Sequence, residues 1–348
     1  MDLVTLRDRI REVDAGLDES AWPGELTALL TQAGCWSASV PARLGGQGAP
    51  PPRRVEIYEH VAAGSLSLAL ILTQHDGACE LLADCDNQAL AQELLPRFAK
   101  GELLTTVGIS QLTTSRRGSG PAMRGRPDGD GFVISGVMPW VTSAPKADYV
   151  VTGAVLENGN QILACLPTRT PGMSVAEPME FMALNSSWTS EIHCQDVKVR
   201  PGQLMRGPVE QVLAIRAPVK SLTVSAVAIG VAGALLEGVR ERASTLGDDF
   251  QSIERQVVAQ YDSARKRLYD AAARRSDPAA EVPAQEIRVA VNDLLIRLAC
   301  THLTLAKGSG YLSSRPSQKL LREAMFFLVW SAPKPVQMGT LAKLWESR

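Results

Sequence analysis

Four histidines in 348 residues, no C-x-x-C among six cysteines and a net charge of −1 leave several classes of function without support. The cysteines (Cys35, Cys79, Cys85, Cys165, Cys194, Cys300) have no histidine at metal-ligand spacing, so no metal site is expected and they read as reduced core residues. The basic pairs Arg53–Arg54, Arg116–Arg117 and Arg274–Arg275 are scattered and offset by acids, which gives no long-range field for nucleic acid or an anionic membrane. Long hydrophobic runs are scarce too. The most apolar one, Leu222 to Leu236, is short for a bilayer span and rich in small residues. The opening MDLVTLRDRIREVDAG carries acids and no apolar leader core. The expectation is a cytoplasmic protein with no nucleic-acid and no membrane partner.

What is present is a large apolar fraction, 45%, against 21% charged residues, enough to bury an extensive core. Its periodicity changes twice. Residues 1–103 read as helices: Leu3, Leu6, Ile10 and Val13 recur at helical spacing, and Glu25–Ala33, Arg53–Ala63, Ser65–Ala83 and Asn87–Ala99 repeat the pattern. VPARLGGQGAPPPRR interrupts them as a glycine turn followed by prolines that exclude helix. Residues 104–204 switch to short alternating runs (TTVGISQL, AMRGRP, GFVISGVM, ADYVVTGAV, QILACLP, SEIHCQDVKV), with Asp128–Gly129 and Asn158–Gly159 as tight hairpin turns. Gly136 marks a further turn inside GFVISGVMPWVTSAPKADY, and Phe181 and Trp188 are expected to pack the core of this β domain. Residues 205–348 return to helical spacing over Val219–Ala243, Ser252–Arg275, Pro283–Gly308 and Pro316–Trp330, enough for a four-helix bundle. The fold class is therefore α+β, mainly α, with a β domain inserted between helical segments.

Two features in this frame bear on chemistry. Trp140 beside Thr142 and Ser143 can cover and hydrogen-bond a flat, polar-edged ring, although a buried Trp at a hairpin corner satisfies the same pattern. His75 interrupts an apolar helix in LTQHDGA, where most histidines are satisfied core groups.

The order of GISQLTTS (Gly108–Ser115), the Gly131–Tyr149 stretch, Phe181–Met182 with LNSSWTSEIHCQDVKVRP, and an apolar helical C-terminal half resembles the acyl-CoA dehydrogenase family of flavoproteins. VPARLGGQG resembles that family's P-x-x-x-G-G-x-G turn, and KGSGYLSSRPSQKLLREA resembles its most specific run, with Gly308, Gly310, Pro316, Arg322 and Glu323 in place. The resemblance implies an N-terminal helical domain, a central β-barrel-like domain, a C-terminal four-helix bundle, and FAD, weakly held or absent. It also implies an acyl-CoA or related thioester and a homodimer, a homotetramer or a paralogous partner subunit. Residue by residue, it places Ile109, Ser110 and Gln111 on the isoalloxazine ring and Trp140, Val141, Thr142 and Ser143 on its far side. It brings Thr304 and Gly308 to the cofactor from a neighbouring subunit, and Ser115, Ser119 and Arg322 toward the thioester. His75 lies on the helix that lines the acyl pocket in that family, and in related monooxygenases a histidine from this region approaches the ring.

The sequence also departs from the family. Its catalytic carboxylate follows the Arg-acid pair by eight or nine residues, which here is Ser331, and the alternative position on the first bundle helix falls near Lys220 or Ser221. None of these can act as a carboxylate base at neutral pH. The R-x-x-F-G context for the cofactor pyrophosphate is absent from ERASTLGDDF, and QLTTSRRGSG replaces the usual acidic, Pro-Gly-rich segment. Glu323, beside Arg322, reads as its ion-pair partner. Three readings stand open: a FAD-dependent oxidoreductase acting on the CH–CH group of an acyl thioester without the standard base; a flavin-dependent monooxygenase of the same fold; and a catalytically degenerate subunit.

Overall fold

The structure, a computed structural model, describes residues 1–112, 122–214, 220–275, 282–312 and 315–345; of Lys220, Ser221, Asp248 and Asp249 it describes the backbone alone. Five helices come first: α1 (Leu3–Gly16), α2 (Gly24–Gln32), α3 (Pro51–Gly64), α4 (Leu66–Ala83) and α5 (Gln88–Ala99). Local chemistry sets their starts. The Asp2 carboxylate accepts from the Val4 and Thr5 amides at 3.0 Å, and Ser65 and Asn87 cap α4 and α5 through their side-chain oxygens. The prolines at 51 and 52, expected to exclude helix, instead open α3. In a first turn the missing N–H has no carbonyl to reach and the fixed φ already suits the helix.

Eight strands follow: β1 (Thr105–Gly108), β2 (Met123–Asp128), β3 (Gly131–Val141), β4 (Tyr149–Leu156), β5 (Gln161–Pro167), β6 (Met173–Val175), β7 (Ser190–Val199) and β8 (Leu204–Val209). They form one sheet in the order β6-β7-β3-β2-β4-β5-β8, with β1 added parallel to β4. Gly129 and Gly159 turn the β2–β3 and β4–β5 hairpins at φ 61° and 85°. Gly136 makes no turn. It is a bulge within a continuous β3, where the register on β7 slips between Ile134 and Gly136. At φ 141° a Cβ there would sit 2.0 Å from the Ala122 carbonyl oxygen, so the bulge tolerates glycine alone. The short β6 and the final β8, which pairs with β5 past residue 204, are strands that the alternation did not signal.

The C-terminal part holds α6 (Lys220–Leu246), α7 (Asp248–Arg274), α8 (Ala284–Ala306) and α9 (Pro316–Phe326), and a fifth helix, α10 (Lys334–Trp345), that packs on α8. Pro333, Pro335 and Gly339 hide α10 from a reading by punctuation, yet Pro335 lies in its first turn, where proline is harmless. α6 crosses α3 at backbone contact: a Cβ on Gly230 would meet the Glu59 carbonyl oxygen at 2.2 Å. Two segments, Leu222–Leu246 and Ala284–Tyr311, are long and apolar enough to cross a membrane, contrary to the reading of Leu222–Leu236 as too short. Here they are the central helices of the bundle, with 67% and 56% of their apolar windows buried.

One hydrophobic cluster unites α1–α4 with α6–α9. A second joins the end of α4 and α5 to β1, β4 and β5, and a third fills the interior of the sheet. The helical halves thus share a core, and the sheet is fixed to it through α4 and α5.

Candidate functional site

The residues expected around a flat ring come from three segments that the sheet brings together. β3 ends in Trp140 and Val141, and the turn after it carries Thr142 and then Ser143, which lies in the left-handed region at φ 61°. The short helix Ser110–Leu112 packs against β3 and β4, and the 181–189 segment returns alongside before β7 begins.

Trp140 is 56% exposed, which rules out the buried corner tryptophan. Its ring lies 6.2 Å from that of Phe181 at 32°, so the two form a partly open aromatic wall. Phe181 is held in turn by Asn185, whose side chain accepts from the Phe181 amide at 2.7 Å and donates to its carbonyl at 3.0 Å. Behind the wall runs a line of hydroxyls. Thr189 Oγ1 donates to Thr142 Oγ1 at 3.3 Å and lies 2.9 Å from Ser187 Oγ, while the Thr142 carbonyl accepts from Thr106 Oγ1 at 2.7 Å. Because Thr142 Oγ1 accepts here, its own proton remains available to donate. The Ser143 amide donates to the Ser187 carbonyl at 2.9 Å, and Ser143 Oγ is buried without a partner.

The other expected ring contacts divide. Val141 is fully buried in the sheet core, so it offers a ring no side chain. Gln111 is buried, and its amide donates to the Gly108 and Gly153 carbonyls and to Thr152 Oγ1, which makes it a brace between β1 and β4. Ile109 and Ser110 are half-buried, Ile109 against the second core cluster. Thr304 and Gly308 are exposed at the end of α8, and a Cβ at Gly308 would meet nothing within 4 Å. Ser115, Ser119 and the side chains of Lys220 and Ser221 lie outside the described residues.

His75 is not in this group. It is 0% exposed between Trp36 (4.7 Å) and Phe98 (5.9 Å), and its Nδ1 accepts from the Thr105 amide at 3.3 Å. Burial pushes it down to about 3, so it is a neutral packing group where α4 meets β1. Its neighbour Asp76, bonded by Ser39 (2.8 Å) and Tyr58 (2.6 Å), is pushed up to about 7 by the same burial. Trp188 does not fill the sheet core: it packs on Trp22 (5.8 Å), lies under Lys146 and donates to the Ser20 carbonyl at 2.9 Å. A 660 Å³ cleft lies beside it, lined among others by Lys146, Arg169, Glu177 and Glu180.

The α9–α10 turn carries Ser331, where the sequence resemblance leads one to expect the family base. Ser331 is exposed at φ 45°. The carbonyls just before it are gathered by buried Arg288, which donates to Phe327 at 3.0 Å and Trp330 at 3.1 Å and stacks on the Phe327 ring. Burial pushes Arg288 down to about 10. Arg322 turns away from a substrate role: its three nitrogens donate to Gln318, the Met182 carbonyl and both Glu19 oxygens. Glu323 is therefore not its partner. It is buried beneath, where desolvation raises it to about 7 against the opposing charge of Lys319.

An isoalloxazine ring fits what is present: an exposed aromatic wall, a hydroxyl with a free proton and a buried, unpartnered Ser143 Oγ. Phe181 was read as sheet core, and Ser187 and Thr189 were given no role; the wall and the hydroxyl line add all three to the candidate site. The signal was the clustering of hydroxyls in NSSWTS.

Comparison with known proteins bears on the same features. Residues 5–102 match the family model described as acyl-CoA dehydrogenase, N-terminal domain. A probable acyl-CoA dehydrogenase of Mycobacterium leprae is 23% identical over 94% of this chain and 89% of its own length. Cyclohexane-1-carbonyl-CoA dehydrogenase of Geobacter metallireducens is 25% identical over 97% and 93%. The structure of butyryl-CoA dehydrogenase from Megasphaera elsdenii shares the fold, with a TM-score of 0.86 at 18% identity over 99% of this chain and 96% of that one.

Proposed function

From membership of the acyl-CoA dehydrogenase family, to which this chain belongs, we propose a flavoprotein oxidoreductase acting on the CH–CH group of an acyl-CoA or related thioester with FAD, but lacking the family base. The observation that carries this is the open Trp140–Phe181 wall beside the Thr142–Thr189–Ser187 hydroxyl line. When bound, the flavin supplies an electron sink for the hydride leaving the β-carbon. Trp140 and Phe181 would supply an aromatic face for the ring, and Thr142, its hydroxyl oriented by Thr189, would donate to the ring's polar edge.

Removal of the α-proton requires a base against the α-carbon, and Ser331 offers an exposed hydroxyl instead. This favours a second reading, a subunit that completes the site of a paralogous partner. The monooxygenase reading loses its motivation because His75 is sealed in the core. We further propose a cytoplasmic homodimer or homotetramer. Met338, Leu341, Leu344 and Trp345 expose apolar surface along α10, and five of the six free cysteines are buried.

The purified chain's absorbance spectrum, followed by anaerobic titration with an acyl-CoA panel, tests these readings. Yellow protein that bleaches slowly supports the base-less oxidoreductase. Rapid bleaching shows that a base exists elsewhere, and a colourless chain that cannot be loaded with FAD rejects the flavin site.

A further inference from the structure

The aromatic wall belongs to the β domain, but what holds it comes from both helical domains. Arg322, on α9, donates through Nη1 to the Met182 carbonyl, next in the chain to Phe181. Through Nη2 it reaches the Glu19 carboxylate at 2.9 and 2.8 Å, and its Nε is steadied by Gln318 at 2.7 Å. Glu19 begins a short stretch between α1 and α2 that meets the same β-domain segment twice more, where Trp188 donates to the Ser20 carbonyl and packs against Trp22. The segment so gripped, 182–188, leads into the wall by two routes. Asn185 fixes both backbone groups of Phe181, and the Ser187 carbonyl accepts from the Ser143 amide, one residue past Thr142.

A guanidinium suits this junction because its planar fork serves a carboxylate and a carbonyl from separate nitrogens at once, which lysine, with all its donors on one nitrogen, does less well. The pair with Glu19 is partly exposed, with side chains 26% and 41% accessible, so as an ion pair alone it contributes little. The bond to Met182 bears directly on the wall.

We propose that Arg322 is a positioning residue: acting through the Met182 carbonyl and the 182–188 segment, it sets the geometry of the Trp140–Phe181 wall and the Thr142–Ser143 edge from outside the β domain. The use of that wall for a flavin rests on the function proposed above; the mechanical coupling does not.

The test is amide hydrogen exchange on the flavin-free chain, read at 140–143 and 181–189 with the α3–α4 core as internal reference, for Arg322→Gln, Arg322→Lys and the swap Glu19→Arg with Arg322→Glu. Expected is a tenfold or greater rise in exchange at the Ser143 amide and around Phe181 in Arg322→Gln, with the reference unchanged, and an intermediate rise in Arg322→Lys. The swap separates positioning from ion pairing. It restores opposite charges between residues 19 and 322 but leaves the Met182 carbonyl without its donor, so the wall should stay loose. Recovery of protection in the swap, or unchanged exchange in both single variants, overturns the proposal. Should Arg322→Gln not fold, Arg322→Lys and the swap carry the test. FAD titration of the same proteins keeps the two ideas apart: a loosened wall with undiminished FAD affinity upholds the coupling and rejects the flavin placement.

Discussion

The end of β3 and the turn between α9 and α10 are both held firmly by buried polar groups, yet they differ in what they present. At the β3 end the bracing faces an open surface: Thr106, Thr189 and Ser187 lock the backbone and hydroxyl of Thr142 and leave one donor and an aromatic face open. At the α9–α10 turn, Arg288 and Asn292 gather the Phe327 carbonyl, and Arg288 also takes that of Trp330, but what the turn displays is Ser331. A turn braced this firmly that displays only a serine hydroxyl shows that backbone positioning and reactive chemistry are separable requirements.

The largest expected effect comes from restoring the missing group. Ser331→Glu in FAD-loaded protein should speed anaerobic bleaching by an acyl-CoA, up to the roughly 10²–10⁴-fold that a general base is worth. Ser331 already holds the left-handed conformation at φ 45°, so Glu at this position adds little new backbone cost. An unchanged rate would place the α-carbon elsewhere and break the comparison.

Next in size is a pH effect beside the same turn. Glu323 is raised from 4.5 to about 7, chiefly by burial, so the folded state binds its proton more tightly than the unfolded state. Its contribution is full below pH 4.5 and is lost as pH rises through 7. Asp76, raised from 3.8 to about 7, acts in the same direction. His75 acts oppositely: lowered from 6.5 to about 3, it favours folding above pH 6.5 and withdraws that stability as pH falls toward 3. Urea unfolding of Glu323→Gln against the parent at pH 5 and pH 8 should show the variant gaining about 1–3 kcal/mol at the higher pH. A constant difference would mean that Lys319 fully compensates the buried charge.

The sequence made the alternation of helical and sheet segments legible because burial periodicity is a local property. The β3 end was legible as a set of residue types, Trp140, Thr142 and Ser143. What was not legible depends on contacts far apart in sequence. Nothing near Arg322 reveals Glu19 or Met182, and Gln111 looks like a ring contact until its three internal acceptors are seen. His75 and Trp188 failed for the same reason: their partners Trp36, Phe98 and Ser20 are far away in sequence. Helix α10 was lost to prolines that a first turn tolerates.

A smaller effect tests the firmness of the turn. Arg288→Met removes the shared donor of two carbonyls but also a buried cation whose Nε and Nη1 have no partner. The two consequences oppose each other, so the net loss should be about 1–2 kcal/mol in urea unfolding. A gain in stability would mean that the unpaired charge outweighs the bonds and that the turn is held by the packing of Phe327 and its bond from Asn292.

The smallest effect, and the one that most sharpens the contrast, is Thr142→Val. Valine keeps the shape and leaves the backbone carbonyl bonded to Thr106, so β3 should stay in place. It removes the hydroxyl that accepts from Thr189, whose proton can turn instead to Ser187 Oγ at 2.9 Å. The one group lost without replacement is the proton that Thr142 holds free for a ligand. FAD affinity should therefore fall about 5–10-fold, the worth of one hydrogen bond of about 1 kcal/mol, with the melting temperature nearly unchanged. Trp140→Ala, which deletes half the wall, should cost more. Equal loss of affinity and stability in Thr142→Val would make the hydroxyl line structural, and unchanged affinity would move the ring away from β3.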